Sequence, residues 1–146
     1  MREEKMLQRL MFLDLKKLQK RTDTAFQLLR RMQEADKNGV VRCISCNAYG
    51  FYKSFDAGHF IQRHHLGVRY EPLNVWPQCK KCNDHLHGNH AKYRDGLKKK
   101  IGVDGVDHLE DIKDKPPYGP GASWRDWCIE ILIHAKKKIK EFKCNS

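Results

Sequence analysis

The stretch Gln78-Cys-Lys-Lys-Cys-Asn83 decides how this chain is read. Its cysteines stand at i and i+3, a spacing that lets both thiolates reach one metal ion from a tight turn. A second such pair, Cys43-Ile-Ser-Cys46, lies upstream. One pair alone is weak evidence. Two supply four sulfurs and close a tetrahedral structural Zn2+ site with Cys43, Cys46, Cys79 and Cys82 as ligands. Residues 47–78 separate the pairs, a longer gap than the roughly 15–20 residues of a simple four-cysteine ribbon. Something is inserted between the knuckles.

The insert carries Asp56-Ala-Gly-His-Phe60, and six of the eight histidines fall between residues 59 and 90. Histidine near neutral pH is a metal ligand, a general base or a phosphate contact. Asp56 and His59 lie three apart on an expected strand, so their side chains diverge unless Gly58 distorts the backbone. Asn74 follows, then Asn83 directly after the last knuckle cysteine, at the expected start of a helix. His87 lies one helical turn beyond Asn83.

Composition fits a nucleic-acid partner. The 146 residues carry 29 Lys and Arg against 18 Asp and Glu, a net charge of +11, and neutralising phosphates releases counterions. No apolar run approaches the ~20 residues of a membrane helix, and the N-terminus shows no signal-peptide pattern. A cytoplasmic protein is expected, where thiols stay reduced and cysteines gather around metal. Cys128 and Cys144 stand outside the pairs.

Residues 2–20 and Thr22–Ala35 read as helices, the second capped by Thr22 or Asp23 and made partly basic by Arg30 and Arg31. Short strands are expected around Val41-Arg42-Cys43 and from Phe51 to Phe60. Asn83–His87, Asn89–Lys100 and Trp124–Lys143 read as helices, with a proline- and glycine-rich linker at 115–121. The fold class is α+β: a helical arm at 1–39, a zinc-stapled core at 40–102 and a helical region at 103–146. Trp124 and Trp127 read as core or dimer contacts.

The run C-x2-C, D-x-G-H, N-x4-C-x2-C-N resembles the HNH, or ββα-metal, nuclease superfamily. Within it the chain resembles the lambdoid phage NinG (Rap) family, on the two knuckles, the "DAGHF" stretch, Gly88-Asn89, Tyr93 and the upstream "TDTAFQLLRR". T-even phage endonuclease VII has a similar arrangement. The resemblance implies His59 as general base, Asn74 as the residue that orients it, and Asn83 as a ligand of a catalytic Mg2+ or Mn2+. Many HNH enzymes place a ligand directly before the base. Gly58 stands there, and Asp56 is the nearest carboxylate. Helical geometry favours His87 to complete the shell, and the "CNxH" spacing favours His85. Arg63, His64, His65, Arg69, Tyr93, Arg94, Lys98, Lys99 and Lys100 are expected nucleic-acid contacts.

The resemblance implies a metal-dependent, structure-selective DNA endonuclease acting on branched recombination intermediates, with 5′-phosphate and 3′-hydroxyl products. A symmetric cutter implies a homodimer, and phage or host recombination proteins are further expected partners, in a bacterial host cell. The alternative reading is a non-catalytic, zinc-dependent protein that binds branched DNA.

Overall fold

The computed structural model describes residues 1–145 and contains four helices and two two-stranded sheets. Helices α1 (Arg2–Phe12) and α2 (Leu15–Glu34) open the chain. The break between them corrects the expected boundary at Thr22. Leu13 is extended, and the Asp14 side chain caps α2 by accepting from the Lys17 amide at 3.2 Å. Thr22 instead sits inside α2, where its hydroxyl donates to the Leu18 and Cys128 carbonyls.

Strands β1 (Val40–Arg42) and β2 (Tyr49–Phe51) pair antiparallel, with the first cysteine pair in their connection. Strands β3 (Asp56–His59) and β4 (Val75–Gln78) form the second hairpin, in the register Asp56 to Gln78 and His59 to Val75. Gly58 keeps its place in this register, so it is not a bulge. It serves close approach: a Cβ there would stand 2.1 Å from the Gln78 side-chain oxygen. The Gln78 amide in turn donates to Gly88 O (2.6 Å) and Ser45 Oγ (3.0 Å), tying the two knuckle regions together.

The expected helix over Asn83–His87 is a single π-helical turn at Lys81–His85. His87, Gly88 and Asn89 all have positive φ and swing the chain into α3 (His90–Ile112), which kinks at Gly102. Gly96 lets α3 lie against the first knuckle, since a Cβ there would stand 1.9 Å from Ile44 O. Helix α4 (Trp124–Cys144) begins with a Ser123–Asp126 capping box.

One core cluster joins Leu18, Phe26 and Leu29 of α2 to Cys128, Ile129 and Leu132 of α4, and to Ala57, Tyr70 and Val75 beside the second hairpin. The apolar faces of α2 and α4 therefore pack largely on each other. Arg30 and Arg31 of α2 also turn inward. Arg30 Nε donates to Val75 O at 2.8 Å, and Arg31 Nη1 donates to Phe55 O at 2.8 Å. Burying a guanidinium is tolerable because carbonyls satisfy its donors. A second cluster seats α3 on Phe60, Ile61, Val68 and Trp76. The third is small, comprising Val41, Cys43, Phe55 and Cys82. No helix of the described residues is long and apolar enough to cross a membrane.

Candidate active site

The four knuckle cysteines converge, with ligating sulfurs all within 4.8 Å of one another and Cys46 Sγ 3.7 Å from Cys79 Sγ. Cys43 and Cys82 are buried. The Cys82 amide donates to Cys79 Sγ at 3.5 Å, and Asn89 Nδ2 donates to Cys82 Sγ at 3.4 Å. Donors aimed at sulfur favour the thiolate. Burial pushes the Cys82 thiol up to about 12 in the absence of a cation. This group could hold a tetrahedral structural zinc.

A polar cleft of about 660 Å³ opens beside β3, the π-turn and α2. Asp56, His59, Asn83 and His87 line it, with Lys80, Arg63 and His64. Asp56 and His59 do bond in different directions, as their odd spacing requires, yet both line this cleft. Asp56 Oδ1 takes Lys80 Nζ at 2.6 Å, and Oδ2 takes Asn83 Nδ2 at 3.0 Å. His85 is exposed outside the cleft lining, while His87 enters it through the left-handed turn rather than along a helix face.

His59 Nε2 lies 2.9 Å from the Arg69 carbonyl. A carbonyl only accepts, so Nε2 carries the proton and Nδ1 carries the lone pair. Burial, reinforced by the Arg63 and Arg69 guanidinium groups, lowers the His59 pKa to about 4. Its imidazole is neutral at physiological pH.

Asn74 is fully buried and binds the loop after β3 at three points. Nδ2 donates to Ile61 O (3.0 Å) and Val68 O (3.1 Å), and Oδ1 accepts from the Ile61 amide (2.8 Å). Asn74 thus fixes the loop that carries the Arg69 carbonyl to His59, and touches no cleft solvent itself. Asn74→Ala leaves three buried backbone groups unpaired, at about 1–3 kcal/mol each. A loss of about 4 kcal/mol or more is expected in a urea denaturation series.

The expected nucleic-acid contacts divide. Arg63 and His64 are exposed in the cleft. Lys99 and Lys100 line a different groove, between α3 and the first hairpin, and Arg94 and Lys98 are exposed on α3. His65 pairs with Asp114 at 2.8 Å. Two expectations are corrected by burial. Arg69 forms a two-point ion pair with Asp23 (2.9 and 2.6 Å). Tyr93 is 1 % exposed and donates to Gly58 O at 2.6 Å, holding α3 to β3. Lys80, Gln27 and Asp23 were missed by sequence reasoning. Lys80 stood inside a knuckle, where the cysteines drew the reading. Asp23 looked like a helix cap, and no local signal reveals a partner 46 residues away.

The donor set in the cleft suits a hard divalent cation. A carboxylate, an amide and an imidazole are oxygen and nitrogen ligands, and the place beside Asp56 already holds a positive charge. Among the described residues, the four cysteines are the only cysteine, histidine or carboxylate group of three or more drawn this tightly together. A cation in the cleft would therefore have few protein ligands and keep several waters, as Mg2+ commonly does.

The class is an α+β protein with a four-cysteine cluster that could hold zinc, beside a polar cleft. The chain belongs to the NinG family: the family model described as Bacteriophage Lambda NinG protein matches residues 1–144. Protein ninG of Salmonella phage P22 is 34% identical over 113 residues, covering 77% of this chain and 52% of the relative. Protein ninG of Escherichia phage lambda is 34% identical over 117 residues, with the same coverage. That of Enterobacteria phage H19B is 28% identical over 109 residues, covering 70% of this chain and 50% of the relative. The chain spans about half the length of these curated relatives. No solved structure matches it.

Proposed function

We propose that this chain is an HNH-type, metal-dependent DNA endonuclease that cuts branched recombination intermediates, leaving 5′-phosphate and 3′-hydroxyl ends. The observation that carries this reading is the state of His59: neutral, oriented by a backbone carbonyl, and set in a polar cleft opposite Asp56 and Asn83. A general base needs its lone pair free at the working pH and its ring fixed. The Arg69 carbonyl does the fixing, and Nδ1 is left to take the proton of an attacking water.

Arg63 and Lys80 bring positive charge to the place where a phosphate would lie. Asp56 and Asn83, with His87, would hold Mg2+ or Mn2+, which when bound polarises the phosphate and stabilises the leaving 3′ oxygen. The zinc knuckles serve geometry: they pin the ends of β1–β2 and the π-turn, so that Asn83 faces Asp56. The net charge of +11 supports a polyanionic substrate. The branched form of that substrate rests on the family's resemblance alone.

One feature favours the alternative, a protein that binds branched DNA without cutting it. The cleft is lined by two carboxylates, Asp56 and Asp84, and Asp56 is occupied by Lys80. Labelled four-way, flap and linear DNA incubated with the zinc-loaded protein separates the two. Cleavage of the branched forms is expected with Mg2+ or Mn2+ and not with a magnesium chelator. Binding without cutting, with either metal from pH 6 to 9, would sink the nuclease reading in favour of the accessory one.

A further inference from the structure

The geometry points to Lys80 as an internal counter-ion that competes with the divalent cation for Asp56 and so sets the metal affinity of the cleft. This inference rests on the reading of Asp56 as a metal ligand and deepens it. Both oxygens of Asp56 are already engaged, Oδ1 by the Lys80 ammonium at 2.6 Å and Oδ2 by the Asn83 amide at 3.0 Å. A dication reaching Oδ1 competes with the ammonium there, because like charges at one oxygen repel, modestly in water and more in a partly enclosed cleft.

Lys80 is suited to yield. Its backbone is held between Cys79 and the π-turn that begins at Lys81, and so is fixed once the knuckle is closed. Its side chain is 62% exposed and has Asp56 as its one hydrogen-bond partner. An exposed pair of this kind is weak, so a cation can break it, yet it still lowers the cation's apparent affinity. Lys81, the other lysine of the knuckle, makes no bond to Asp56. In the metal-free state the pair neutralises a carboxylate that would otherwise face the cleft alone. In the metal-bound state the ammonium is released into a cleft that Arg63 already makes basic, where a phosphate would meet it.

The test is Mn2+ binding to the zinc-loaded full chain without DNA, followed by titration calorimetry or by the paramagnetic signal of free Mn2+. Lys80→Gln is expected to tighten binding about three- to tenfold, the range that loss of one exposed ion pair and one like charge allows. Lys80→Arg keeps the charge and is expected to bind Mn2+ as the parent does. Asp56→Asn is expected to abolish binding in either background. Unchanged zinc content and melting temperature in Lys80→Gln check that the knuckle is intact. Unchanged or weaker Mn2+ binding in Lys80→Gln, with Asp56→Asn still abolishing it, would overturn this inference and leave the metal site standing. Parent-like binding in Asp56→Asn would remove Asp56 as a ligand, and both would fall.

Discussion

Chelating zinc from this chain is expected to unfold the β1–β2 hairpin and the π-turn, residues 40–51 and 81–85, while α1, α2 and α4 stay largely helical. The reason lies in how unequally the apolar core is shared. The helices have their own cluster, built on Leu18, Phe26, Leu29, Ile129 and Leu132. The first hairpin and the knuckles share a small cluster, Val41, Cys43, Phe55 and Cys82, and two of those four belong to the cysteine group that could hold zinc. A two-stranded hairpin such as β1–β2 has little stability of its own. Without a cation, burial keeps the Cys82 thiol protonated, up to about 12, so the site offers weak hydrogen bonds in place of four metal bonds. Structural zinc binding in small domains contributes of order 10 kcal/mol, and that energy is folding energy. Amide exchange should show protection lost across β1, β2 and the π-turn, with most far-UV helical signal kept. The same pattern is expected for Cys43→Ser. Unchanged exchange protection after complete zinc loss would show that the cysteines are mere core residues.

The parts of the fold that sequence made legible are those whose cause is local. A pair of thiols at i and i+3 announces its ligand role within four residues. The capping box at Ser123 and Asp126 does the same for α4. What was hidden depends on partners far along the chain. Arg69 looks like a phosphate contact in a basic loop, and only Asp23 of α2, brought alongside by tertiary packing, makes it a buried structural residue. Tyr93 carries the same ambiguity until Gly58 O is seen above it. Gly96 gave no signal, because a glycine inside a helix looks like a propensity defect, not a seat for the first knuckle. His87 reached the cleft for a reason that helical spacing did not contain, since three successive positive φ angles replace the expected helix turn. Single-residue backbone conformations of this kind are not encoded in any periodicity.

Replacing His59 by Ala is expected to reduce cleavage about 10²–10⁴-fold, the usual contribution of a positioned general base. Zinc content and DNA binding should be kept, because His59 is not one of the four cysteine-site residues and is itself neutral. Stability gives an independent readout. The folded pKa, about 4, lies below the ordinary 6.5, so the unfolded chain binds the extra proton first. Stability contributed by the neutral His59 is whole above pH 6.5 and is lost as the pH falls toward 4, by at most about 3 kcal/mol. Below 4 both states are protonated and the loss stops. His59→Gln removes this titration, so its stability should fall less steeply than the parent's between pH 6.5 and 4. The low pKa also predicts that the acidic limb of parental cleavage lies well below 6.5, because the base stays unprotonated there. A parental activity profile falling with an apparent pKa near 6.5 would mean that a group other than His59 carries the proton transfer. Parent-like cleavage by His59→Ala would remove His59 from the chemistry altogether.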